Sequence, residues 1–145
     1  MTTMAAILKQ KPMALISVQP ETRIRDVVAL LAEKRIGAVV VQSVENDLLG
    51  ILSERDVVRS LAANGAATLD MQTSQLMTRA PTTATPATTV LEAENLMTDG
   101  RFRHLPIVDG GKLIGVVSIG DVVKSLIEVQ THEVRSLREY VNGGV

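Results

Sequence analysis

The stretch Gly50-Ile51-Leu52-Ser53-Glu54-Arg55-Asp56-Val57-Val58 returns as Gly115-Val116-Val117-Ser118-Ile119-Gly120-Asp121-Val122-Val123. Each copy reads glycine, two aliphatics, serine, two variable residues, aspartate and two valines, and Leu61 and Leu126 fall at matching places downstream. Self-similarity at a fixed spacing marks a supersecondary unit written twice. Working outward, Pro20-Glu21-Thr22 matches Pro86-Ala87-Thr88, and each pair precedes apolar residues spaced three and four apart. These are Ile24, Val27, Val28, Leu30 and Leu31 in the first copy, and Val90, Leu91, Ala93, Leu96 and Met97 in the second. Such spacing predicts one apolar face of a helix.

Each helix is followed by a short aliphatic run, Ala38 to Val41 and Leu105 to Val108, then by a turn and a second run. The turns are Glu45-Asn46-Asp47 and Asp109-Gly110-Gly111, and the second runs are Leu48 to Leu52 and Leu113 to Val117. Two apolar runs flanking such a turn predict a hairpin. The offset between copies is 66 at Thr22 and Thr88 and 65 at Asp56 and Asp121, so the second turn is one residue shorter. Each unit is therefore expected to run strand, helix, strand, strand, helix. A half of about 60 residues is marginal alone, so the two should pack together through their sheets. The expected divisions are 8–64 for the first repeat, 65–73 for a linker, 74–130 for the second repeat and 131–145 for a C-terminal helix and tail. In that tail Ile127, Val134 and Val141 lie seven apart with Leu137 between the last two. This seam suits packing on the body of the protein or on a second chain.

Bulk composition excludes several function classes. The hydrophobic fraction is 46% and the aromatic fraction 1%, so aliphatic residues and methionine must build the core, and the six methionines read as gap-fillers and chain ends. A formal net charge of −1 argues against a nucleic-acid surface, and no basic run suggests a membrane patch. Cysteine is absent, which removes disulfides and thiolate metal sites. Met1 to Leu8 has its lysines, Lys9 and Lys11, behind it, the wrong polarity for a secretory signal, so a soluble cytoplasmic protein is expected. Only His104 and His132 are available as histidines, and phosphate-loop, nucleophile-elbow and zinc-protease patterns are missing. Asp56 and Asp121 are already explained by the repeat, so no catalytic residues, metal ligands or catalytic cofactor are expected.

The glycine–aliphatic–aliphatic–serine–x–x–aspartate element, closing a strand-helix-strand-strand-helix unit and present twice, resembles the cystathionine-β-synthase (CBS) domain pair. The resemblance covers residues 10 to 130, and the layout is similar to bacterial stand-alone CBS pairs. It implies an α/β (α+β) fold of two repeats related by a pseudo-twofold axis, with a C-terminal helix and often a homodimer. It also implies a non-enzymatic regulatory module whose cleft between repeats binds AMP, ADP or ATP, or a related ligand such as S-adenosylmethionine or NAD(H).

Within that resemblance, Asp56 and Asp121 would hold ribose hydroxyls, with Ser53 and Ser118 beside them. A strand-to-helix turn exposes unpaired N–H groups, which suits phosphate or ribose oxygens. The same Ser-x-x-Asp spacing also fits a helix capping box, and the two roles compete for the same oxygens. Arg103 and His104 match basic positions that face phosphates in the family, where the first copy has Gly37 and Ala38 and offers Arg55 instead. The Asp121 site is accordingly expected to be preferred. Ile16, Ala38, Val39, Ile51 and Val116 are expected walls for the adenine, with Ser17, Thr83 and Thr85 near the base or ribose. Signalling would proceed by a population shift read by an effector protein that the sequence does not name. The alternative is a ligand-free CBS scaffold that serves interaction or dimerisation only.

Overall fold

In the computed structural model, which describes residues 2–11 and 15–143, each half is built on a hairpin flanked by helices. The first half contains β1 (Ser17–Val18), α2 (Ile24–Lys34), β2 (Ala38–Gln42), β3 (Leu48–Ser53) and α3 (Glu54–Asn64), preceded by α1 (Met4–Gln10). The second contains α4 (Thr73–Leu76), β4 (Thr78–Arg79), α5 (Val90–Gly100), β5 (His104–Asp109), β6 (Lys112–Ser118) and α6 (Ile119–Gly143). One sheet has the order β1-β2-β3-β4, and the other is the β5-β6 hairpin. Both hairpins shift register at the matching place, after Val41 and after Ile107. The expected opening strand of the second unit is reduced to a single parallel bridge, Ala84 to Ile107, which repeats the pairing of Val18 with Val41. Among the described residues no helix is long and apolar enough to cross a membrane.

Two separate aliphatic cores result. Ile24, Val27, Leu31, Val39, Val41, Leu52 and Val57 form the first. The second gathers Val90, Ala93, Met97, Leu105, Ile107, Val117 and Val122, and it also takes Met4 and Ile7 from α1. The chain therefore crosses over. Met4 N–H donates to the Thr88 carbonyl (2.9 Å) and Ala5 N–H to that of Pro86 (3.0 Å). Thr73 N–H donates to Thr22 (2.9 Å) and Ser74 N–H to Pro20 (2.9 Å), the same bonds one repeat earlier. Each half is thus completed by the segment that precedes the other half in sequence. The bonds obey the pseudo-twofold relation that the repeat implies.

The crossing explains the repeated glycine. A Cβ on Gly50 would lie 2.6 Å from the Thr78 carbonyl oxygen of β4, and one on Gly115 would lie 2.7 Å from Leu8 of α1. Each glycine is the floor over which the exchanged segment passes.

Residues 65–73, expected as a linker, carry regular local structure. Gly65–Asp70 form a 3₁₀ turn whose buried Thr68 bonds Ser60 of α3 (2.9 Å), and Thr73 already begins α4. Residues 131–143 of the expected tail are continuous with the last repeat helix, since α6 runs 25 residues without a break, and 144–145 lie outside the described residues.

Candidate functional site

Ser118 ends β6 and Asp121 sits in the first turn of α6, so the strand-to-helix turn holds both at one place. Asp121 N–H donates to Ser118 Oγ (3.1 Å), and Ser118 N–H donates to Asp121 Oδ2 (2.9 Å). This is a reciprocal cap that satisfies two of the helix's otherwise unpaired donors. Ser53 and Asp56 form the same box in the first repeat, with Ser53 N–H on Asp56 Oδ2 at 2.9 Å and the Ser53 hydroxyl on the same oxygen at 3.0 Å.

The two copies diverge in what else they touch. Lys11, just past α1, places its Nζ 2.8 Å from Asp121 Oδ2 and 3.0 Å from the Val116 carbonyl oxygen. Both charged side chains retain about a quarter of their exposure, 29% for Lys11 and 27% for Asp121. Asp121 Oδ1 has no hydrogen-bond partner among the described residues. Burial opposes ionisation of Asp121, but the Lys11 ammonium and the Ser118 amide outweigh it and hold the carboxyl below its ordinary value.

This pair lies in a cleft of about 460 Å³, a size that suits a small organic ligand. Its walls come from both halves and from the crossing segment: Ile16, Ala38, His104 and Val116, with Leu8 at one side. The chain enters from α2 through Arg35, which also lines the cleft and takes a left-handed backbone (φ 54°). Arg101 occupies the equivalent position in the second repeat with φ 56°. The His104 ring crosses the junction between halves, 3.3 Å from where a Cβ on Gly37 would be. Glycine at 37 thus makes room for the histidine. Burial first, then the Lys11 charge, pushes the His104 pKa down, against the opposing pull of Glu54 and Asp121. The imidazole is therefore neutral at pH 7, while Lys11 and Arg35 give the cleft two cations against the one Asp121 carboxylate.

Of the residues singled out in the sequence, Asp121, Ser118, His104 and Ala38 line this cleft, as do Ile16 and Val116. Ser53, Arg55 and Asp56 lie at the other strand-to-helix turn, and Arg55 is exposed. Val39, expected as a wall, is 1% exposed and belongs to the first core, because strand alternation turns it away from Ala38. Ser17, Thr83, Thr85 and Arg103 are exposed and do not line the cleft, and the Thr85 amide bonds Thr88 Oγ1 (3.1 Å) in a turn. Ile51 is partly buried on β3, away from the cleft walls.

Lys11 and Arg35 were not among the expected ligands. Arg35 carried a readable signal, since it directly precedes the Ile36-Gly37-Ala38 run. Lys11 carried none, because its partner is 110 residues away and the pairing follows from the crossing of α1.

Comparison with known proteins gives consistent matches. The family profile described as "CBS domain" matches residues 11–63 and 74–128. The mitochondrial CBS domain-containing protein CBSX3 of Arabidopsis thaliana is 37% identical over 123 residues, covering 82% of this chain but 60% of that protein. A CBS-domain protein of Agrobacterium tumefaciens superposes with a TM-score of 0.83 at 38% identity, covering 86% of this chain and 98% of that one. A CBS domain protein of Pyrobaculum aerophilum, solved in complex with AMP, gives 0.73 at 25% identity and covers 82% and 88%.

Proposed function

Because the chain belongs to the CBS domain family and carries the domain twice, we propose that it is a non-enzymatic regulatory module binding an adenine nucleotide in the cleft at Asp121. The observation that carries this reading is the convergence of Asp121, Ser118, Lys11, Arg35 and His104 on one cleft spanning both halves. The AMP complex of the Pyrobaculum aerophilum protein supports the ligand class.

The chemistry of the walls fits an anionic nucleoside. Asp121 Oδ1 can accept from a ribose hydroxyl without disturbing the cap, which uses Oδ2. A hydroxyl bonded to a carboxylate contributes about 1.5–3 kcal/mol, enough to favour ribosides over a free base. Lys11 then exchanges a carboxylate partner for a phosphate, and Arg35 supplies a planar fork for the same group. The apolar side chains Ile16 and Val116 give the adenine a slot without aromatic stacking. Two cations against one acid disfavour a sulfonium ligand, so AMP, ADP or ATP is preferred to S-adenosylmethionine.

A ligand that touches both halves shifts the population toward the arrangement it bridges. The readout is the surface of a homodimer or of a separate effector protein.

A second reading, a scaffold without a ligand, is favoured by one feature: Lys11 is already engaged by Asp121 Oδ2 and the Val116 carbonyl. Thermal unfolding separates the two readings. A native-state ligand raises the midpoint with concentration. The nucleotide reading expects a rise with AMP, ADP or ATP, absent with GTP and absent in Asp121→Ala. A folded protein whose midpoint ignores all of them at millimolar concentration would leave the scaffold reading standing.

A further inference from the structure

From Glu128 to Val141 every residue of α6 is exposed, although the helix continues without interruption to Gly143. A helical stretch of about 14 residues without tertiary packing is marginal in water. This one also presents large apolar groups, with Ile127 at 57% exposure, Val134 at 48%, Leu137 at 65% and Val141 at 71%. Together with Gln130 they follow alternating steps of three and four, the heptad a and d positions. Thr131, Arg135 and Arg138 border Ile127 and Val134 on one side, forming a shallow groove.

We infer that this face is covered by the same face of a second copy, the two α6 helices running parallel and in register. The charges decide the orientation. With Ile127, Val134 and Val141 at a, the g row is Leu126, Glu133 and Tyr140, and the e row is Lys124, Thr131 and Arg138. A parallel pair sets each g residue beside the e residue five positions on in the other chain, so Glu133 meets Arg138 twice by symmetry. An antiparallel pair sets g beside g and e beside e, and those rows contain no opposite-charge combination. Gln130 is the single polar residue in the seam, a feature that fixes register at some cost in stability.

This inference rests on the homodimer of the proposed function and is independent of the nucleotide. The chain has no cysteine, so single introduced thiols report cleanly. Sedimentation velocity on the full chain gives the oligomeric state, and air oxidation of Leu137→Cys and His132→Cys gives the geometry. The expected result is a dimer in which Leu137→Cys forms a disulfide and His132→Cys, on the outer f position, does not. Glu133→Arg should weaken the dimer on the order of tenfold, and Glu133→Arg with Arg138→Glu should restore it. A monomer overturns both the seam and the homodimer. A dimer in which Leu137→Cys stays reduced, or in which the double charge exchange gives no recovery, overturns the seam alone.

Discussion

Asp121→Asn removes the charge that Lys11 neutralises while keeping the side chain's size. The loss of a charged cap partner and of the ion pair should cost about 1–2 kcal/mol, read as a lower unfolding midpoint without ligand. The variant should also lose its response to adenine nucleotides, whereas Asp56→Asn should keep that response. Lys11→Ala should weaken ATP binding more than adenosine binding, because only the phosphates call on the ammonium, and parallel titrations of the two ligands check this. His104 adds a pH dependence. Its folded pKa lies below the ordinary 6.5, so its contribution to stability is present above that value and is lost as the pH falls beneath it. A bound phosphate favours the protonated ring, so nucleotide affinity should rise as pH drops from about 8 to about 6, with proton uptake measurable in buffers of different ionisation heat. Ser118 and Asp121 were legible in the sequence because a short motif occurring twice stands out. Their partner Lys11 was not, since a lysine near a chain start looks the same whether it is solvated or 2.8 Å from a carboxylate.

The elements themselves were written in periodicity and turn chemistry: both hairpins, both amphipathic helices and their order emerge from spacing alone. The crossing of α1 and β4 did not, because the chain offers no local sign of which half an entering segment completes. Its trace was present in Gly50 and Gly115, but a strand glycine has several readings until the covering atoms are seen. The crossing makes an unequal prediction for two equivalent residues. Gly50→Ala forces a methyl against backbone, 2.6 Å from the Thr78 oxygen, and should cost about 1–3 kcal/mol. Gly115→Ala meets only the flexible end of Leu8, so its cost in chemical denaturation should be clearly smaller.

At the scale of the whole molecule, the exchange of entering segments ties the two halves together and delivers Lys11 to the cleft. Met4, fully buried in the second core, is a direct probe of this. Met4→Ala should destabilise by about 2–5 kcal/mol. It should also weaken nucleotide binding, because α1 positions Lys11. The central claim is that one adenine nucleotide occupies the Asp121 cleft of each chain. Isothermal titration of the full chain with AMP, ADP and ATP, alongside Asp121→Ala and Asp56→Ala, tests it most directly. The prediction is saturable binding of at least one of the three at one site per chain, abolished in Asp121→Ala and retained in Asp56→Ala. Binding that survives Asp121→Ala, or no heat from any nucleotide with the protein folded, would contradict it.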